Sequence, residues 1–373
     1  MRGGVFSFCF AAGLVMSLVV AGCSGDKGGG PVTPKAQAPT EQYEFYLGNT
    51  YWPPLEIYKG TIGDKDLRKV ELPGNESTAL KTLALSADGS VILLITDPWN
   101  QPDRFLALNA TTLDTLCEYE NIGKSIEVSP GGKYIAVYYP GGSPTSGVNI
   151  FDGSTLEFLY NTGMDAGSLR FTRDDYRFYY TQGSGYGIYD LDEKRIESLN
   201  NYVNSYGRTG IRIVQPTPEE EYLFMKTDVG YWDWQLIEMY DPVTDSILTA
   251  TILGRDIYGD MCLSPDGRLL IVTDPKGGIF ESDGTELTSI IDARTGAILA
   301  VLNPPGKDPD CGETGRGMVP TTIDFSPDSH YTIFGSYGGG GYAVLDNSSF
   351  SWKYFDITGC RGISCNLIAC RQK

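Results

Sequence analysis

The residues that could do chemistry are few, and their types exclude more than they allow. The single histidine, His330, lies in the turn Ser329-His330-Tyr331 between two apolar stretches. One imidazole cannot build a histidine-rich copper site or a conventional zinc hydrolase site, and no C-x-x-C-H motif is present to attach haem. A Ser-His-Asp triad would have to use His330, and the sequence has no G-x-S-x-G elbow. The glycine-rich stretch at residues 335–342 lacks the Gly-Lys-Ser/Thr ending that cradles phosphate. No catalytic residue, metal centre or resident cofactor is assigned on this reading.

Aromatic and acidic side chains gather elsewhere. Residues 49–54, 97–103, 139–147, 227–235 and 273–284 read as loops, and they hold four of the five tryptophans: Trp52, Trp99, Trp232 and Trp234. Asp228, Tyr231 and Asp233 stand beside the last two, and Asp274, Glu281 and Asp283 follow in the next such loop. Aromatic faces stack on the C–H faces of sugars or on cationic peptide side chains, while carboxylates take hydroxyl and ammonium hydrogens. The same residues could instead cap neighbouring loops. Carboxylate pairs on such a surface could hydrolyse glycosides, and Asp274, Glu281 and Asp283 could hold Ca²⁺ with loop carbonyls.

The elements that must carry these loops form a repeat. Residues 83–96, 126–139, 169–181, 213–226, 261–273 and 323–335 share one pattern: an alternating apolar strand, a hydroxyl residue, a polar turn and a second apolar strand. The hydroxyl falls at Ser86, Ser129, Thr172, Thr217, Ser264 and Ser326, with spacings of 43, 43, 45, 47 and 62 residues. That is the length of a propeller blade of four antiparallel strands. Alternation with a period of two contradicts a helical solenoid of similar repeat length. Three strand-like pieces at residues 43–48, 55–61 and 67–72 precede the first repeat without an inner strand of their own. After the last repeat, Ile363-Ser364-Cys365-Asn366 echoes Ile323-Asp324-Phe325-Ser326. The expected fold is an all-β propeller of seven blades over residues 42–373, closed when the C-terminal strand completes the N-terminal blade.

The turns at residues 263–267 (LSPDG) and 325–328 (FSPD) carry a resemblance to YVTN-type and quinoprotein-dehydrogenase-like β-propellers. The resemblance implies architecture; the family spans oxidoreductases, lactonases, scaffolds and surface binders, so it leaves activity open. The tryptophan docking repeats of propeller quinoproteins are absent, as is any motif matching the lactonases' catalytic residues.

The N-terminus sets the compartment. Arg2 precedes an uncharged apolar run over residues 5–22 that ends in Val20-Ala21-Gly22-Cys23. This is a secretory signal, and Cys23 resembles the lipidated cysteine of the bacterial lipoprotein lipobox. The resemblance implies removal of residues 1–22 and a lipid anchor on Cys23, followed by a Gly- and Pro-rich tether to residue 41. The domain is then expected outside the cytoplasm, on the periplasmic face of the outer membrane or at the cell surface. In an oxidising compartment Cys117, Cys262, Cys311, Cys360, Cys365 and Cys370 could form up to three disulfides, with pairing left open.

A net charge of −18 repels nucleic-acid phosphates and anionic headgroups. The sequence thus points to a membrane-tethered binding or scaffold protein for a protein, peptide or glycan. The alternative is an envelope enzyme, either a carboxylate-based glycan hydrolase or lyase or a quinoprotein-like oxidoreductase.

Overall fold

The computed structural model describes residues 43–49, 56–64, 66–71, 78–98, 102–139, 147–207, 210–228, 234–255, 260–274, 287–302, 319–337, 341–356 and 365–372. These residues form 28 strands and no α-helix. Five runs of chain each make one four-stranded antiparallel sheet: 78–120 (blade 1), 125–161 (blade 2), 169–201 (blade 3), 211–255 (blade 4) and 261–302 (blade 5); the four strands of 319–356 (blade 6) pair likewise and are joined to blade 7 by the Ser336–Cys365 pairing. Within each, strands pair in chain order, and the first strands of successive blades lie side by side.

Blade 7 is composite. Its inner strand is the C-terminal Cys365–Gln372, which pairs with Tyr43–Asn49; that strand pairs with Glu56–Thr61, and this with Arg68–Glu71. Closure by the C-terminal strand is thus as expected, but its register is not. Cys370 lies opposite Phe45, the place that Asp324 holds opposite Ile333 in blade 6. The segment equivalent to residues 323–326 therefore begins at Ala369, six residues beyond the expected echo.

Packing explains the apolar runs. In blade 1, Ile92, Leu93, Leu94 and Ile95 are all fully buried. Ile92 and Leu94 pack with Tyr46, Ile57 and Val70 of blade 7, while Leu93 and Ile95 pack with Ile135, Val137 and Phe151 of blade 2. Successive strand side chains face opposite ways, so an unbroken apolar run serves two interfaces. Burying one such side chain stabilises by about 1.5–3 kcal/mol. Outer strands face water on their far side and return to a mixed pattern, as in Thr115–Glu120.

The repeated hydroxyl fastens the first turn in the blades made from one run of chain. Ser86, Ser129, Ser264 and Ser326 accept from the backbone N–H five residues later, at 2.9, 3.0, 2.9 and 2.9 Å. Three residues after the hydroxyl the backbone must turn left-handed, and Gly89, Gly132 and Gly267 supply it. Asp175, Glu220 and Ser329 occupy the same position with φ of 64°, 57° and 62°. Each of these three reaches the preceding blade: Asp175 accepts from the Gly131 N–H, Glu220 pairs with Arg177, and Ser329 accepts from the Asp266 N–H. Left-handed strain of roughly 1–2 kcal/mol is offset by a contact that seats one blade on the next.

Candidate ligand site

The first strands of all seven blades surround one cavity of about 680 Å³ on the ring axis. An adjoining cavity of about 300 Å³ shares Glu127, Gln215 and Leu263 with it and adds Arg170, Asp260 and Cys262. The wall has a simple origin in the repeat. The residue two before each hydroxyl faces the axis, which places Ala84, Glu127, Arg170, Gln215, Cys262 and Asp324 in one ring. Cys370 fills the seventh position by its register in blade 7. The residue after the hydroxyl makes a rim at one mouth, where Pro130, Pro218, Pro265 and Pro327 recur.

The ring is polar on two sides. On one, Arg170 spans three blades: its Nε donates to Gln215 at 3.2 Å, and its Nη1 donates to Glu127 at 3.2 Å and to the Leu169 carbonyl at 2.9 Å. Burial opposes the guanidinium charge, yet the facing Glu127 carboxylate wins and holds Arg170 protonated. Burial also raises the Glu127 carboxyl above its usual range, with Arg170 opposing.

On the other side stand Asp260, Cys262, Asp324 and Cys370. Asp260 accepts from the Met261 N–H at 2.8 Å, and burial pushes its carboxyl up. Asp324 accepts from the Phe325 N–H at 2.8 Å and from the Cys370 N–H of blade 7 at 2.7 Å. Those donors favour the carboxylate, but burial outweighs them and pushes Asp324 up to about 7. Burial likewise raises both thiols, so neither Cys262 nor Cys370 is an activated nucleophile. The wall can therefore hold a small polar molecule, and Asp324 can give or take a proton near neutral pH.

This ring was not singled out from the sequence. Its signal was present, since a charged residue two before the hydroxyl recurs in blades 2, 3 and 6. The acid-and-aromatic loops lie elsewhere. Asp228 ends the second strand of blade 4 opposite Gln235, Trp234 begins the third, and Asp274 ends the second strand of blade 5 opposite Leu287. These ends are opposite the Ser-Pro-Asp-Gly turns. Trp52, Trp99, Tyr231, Trp232, Asp233, Glu281 and Asp283 lie outside the described residues. Among the neighbours of these loops, Asp97 is already paired with Lys81 at 2.9 Å.

The cysteines depart from expectation. Cys117, Cys262 and Cys370 are free thiols. Cys117 is on an outer strand of blade 1, while Cys262 and Cys370 line the ring in blades 5 and 7 with blade 6 between them. No bridge joins any two of these three. Cys311 and Cys360 lie outside the described residues, as does the Cys365 side chain. Among the described residues, no three Asp, Glu, His or Cys side chains form a metal-holding group; the proposed Ca²⁺ loop, beyond Asp274, is not among them. His330 sits exposed in its turn, bonded to Asp328.

No family model matches the chain, and no curated protein matches it by sequence. Solved structures do match by fold. A hypothetical selenium-binding protein from Sulfolobus tokodaii aligns over 90% of this chain and 94% of its own, with a TM-score of 0.63 and 12% identity. Hydrazine synthase from Kuenenia stuttgartiensis aligns over 74% and 78%, with a TM-score of 0.56 and 17% identity. At such identities the likeness is one of fold: a seven-bladed propeller whose chemistry is its own.

Proposed function

We propose that the protein is a lipid-anchored, extracytoplasmic binding propeller whose ligand sits in the axial channel. The reading is carried by one observation. Seven inner strands enclose two adjoining cavities, the larger lined by Glu127, Gln215 and Asp324 and the smaller adding Arg170 and Asp260, polar groups that a merely structural axis has no need to bury. The Cys23 setting and the Gly- and Pro-rich tether support an anchor that leaves the ring free above a membrane.

A photo-crosslinking residue at position 84, the small member of the ring, tests the site in cells. A comparison residue at position 232 tests the loop face. A discrete adduct at 84 and none at 232 is the expected result; the reverse moves the ligand to the tryptophan loops. Cys23→Ala is expected to shift the protein from the membrane fraction to the soluble one. A second reading, hydrolysis in the same channel, is favoured by the neutral-range titration of Asp324 beside Asp260. Under that reading Asp324→Asn abolishes glycan release while leaving crosslinking at 84 intact.

A further inference from the structure

The channel's unspent hydrogen-bonding capacity is specific enough to define a ligand. Arg170 uses Nε and Nη1 on protein acceptors, while its Nη2 makes no hydrogen bond to the described residues. Two N–H groups of a guanidinium, one-fifth exposed within the channel, are therefore left for an outside acceptor. Across the channel, Asp260 and Asp324 accept backbone N–H groups, but neither forms an ion pair with a described residue. Asp260 feels the charges of Arg170 and Lys226 only from a distance. The channel thus has a donor without an acceptor on one wall and carboxylates without a cation on the other.

An inorganic ion is a poor match for the second wall. Among the described residues no three acidic, thiol or imidazole groups lie close enough to share a metal. The negative charge is spread around the wall, and a larger cation that donates several hydrogen bonds meets it better. That cation must also carry an acceptor within reach of Arg170. At the mouth, the four rim prolines have no N–H to donate and present rigid apolar edges.

Resting on the channel reading, we propose that the site captures an α-ammonium group with a carbonyl beside it, the pairing presented by a peptide N-terminus. Asp260 and Asp324 hold the ammonium, Arg170 Nη2 donates to the carbonyl oxygen, and the first side chain lies against the proline rim. A free amino-acid amide offers the same chemistry in a smaller body.

Calorimetry on the anchored protein in detergent tests this with leucinamide, N-acetyl-leucinamide and the tripeptide amide Leu-Ala-Ala-NH₂. Leucinamide and the tripeptide are expected to bind, and acetylation to weaken binding at least tenfold. Tighter binding of the tripeptide assigns the site to peptide ends; equal affinity assigns it to small amides. Affinity is expected to rise from pH 5.5 towards 7 as Asp324 ionises and to fall above about pH 8 as the α-ammonium loses its proton, and Asp260→Asn to lower it at least tenfold with an unchanged melting curve. If that variant melts early, the acetylated probe decides alone. Equal binding of the acetylated probe overturns the ammonium site and leaves the channel reading standing. So does failure of all three probes alongside an adduct at position 84. Failure of both the probes and the adduct overturns the two together.

Discussion

Blades 1 to 6 and blade 7 share one design and differ in how their first two strands find each other. In blades 1 to 6 a short turn joins those strands, and the hydroxyl of Ser86 or Ser264, with a left-handed residue behind it, sets the register locally. In blade 7 the same two strands are the chain's far ends, and no turn connects them. Their register depends on side chains instead. Asp324 of blade 6 takes the Cys370 N–H, Tyr43 donates to Asp328, and Arg371 binds Glu44 and the Gly89 carbonyl of blade 1. Where covalent continuity is missing, charged and hydrogen-bonded clamps to both neighbouring blades replace it. Such a closure must bring distant segments together, which makes it the costly step in loop entropy.

The largest expected effect follows from removing that closure. Deleting residues 365–373 strips the partner from Tyr43, Phe45, Tyr46 and Leu47, all fully buried, and opens both flanking interfaces. Losing several such interfaces exceeds the roughly 5–15 kcal/mol that holds a domain together. The truncated chain is expected to lose its cooperative thermal transition and to bind a hydrophobic dye. A circular permutant that joins Gln372 to Tyr43 through a short turn gives blade 7 the connection its neighbours have. It should melt at or above the natural chain's temperature. A lower melting point would show that the clamps do more than stand in for a turn.

Asp324 sharpens the comparison through pH. Its carboxyl ordinarily titrates at 3.8 and is raised by burial to about 7 in the folded ring. The folded state therefore binds this proton more tightly than the unfolded chain does. Its contribution to stability is greatest below pH 4 and is lost as pH rises through 7, by at most about 4 kcal/mol. Asparagine does not titrate, and it can accept only one of the two N–H groups that Asp324 receives. Asp324→Asn should thus be the less stable protein at pH 4.5 and recover relative to the parent by pH 7.5. A difference between the two that stays flat with pH, in urea melts, would mean that the clamp is ionised throughout.

Gly267 tests the other side of the comparison, a turn in a contiguous blade. Its φ is +68°, and an added Cβ would lie 2.1 Å from Pro218 of blade 4. Gly267→Ala should cost about 2 kcal/mol from left-handed strain and crowding against that ring. Urea unfolding would measure it. If the loss were negligible, the turns would matter less than the cores beneath them.

The regular blades were legible in the sequence because this turn chemistry is local and repeats. Each Ser or Thr hydroxyl marks the end of an inner strand, and its spacing counts the blades. The closing strand's register was not legible for the converse reason. Residues 365–372 pair with Tyr43–Asn49, at the far side of the sequence and not across a local turn, so the echo at Ile363 had nothing to contradict it. The channel was hidden differently. Glu127, Arg170 and Asp324 alternate with apolar residues as any water-facing strand residue would, and only the ring turns that face into a wall. Likewise, cysteine count alone could not show that Cys262 and Cys370 stand on inner strands with a blade between them.

Arg371 offers the finest test, because it acts on the closure without removing any of its strands. It contacts the Glu44 carboxylate and the Gly89 carbonyl, with both partners of the ion pair mostly buried. The Glu44 carboxyl is lowered overall: burial opposes ionisation, but hydrogen bonds from Lys59 and Arg371 prevail. Arg371→Ala leaves Lys59 on Glu44 at 3.0 Å, so the carboxylate is not stranded. The cost should then be that of hydrogen bonds to a charged group, about 1.5–2 kcal/mol. Because the pair is shielded from solvent, added salt should recover little of it. If blade 7 is clamped by side chains, this loss should appear mainly as faster exchange of the Tyr43–Asn49 amides, with blade 3 unaffected. Uniform loosening of all seven blades would instead mean that the ring opens only as a whole, and that the closing strand is no weaker a seam than any other.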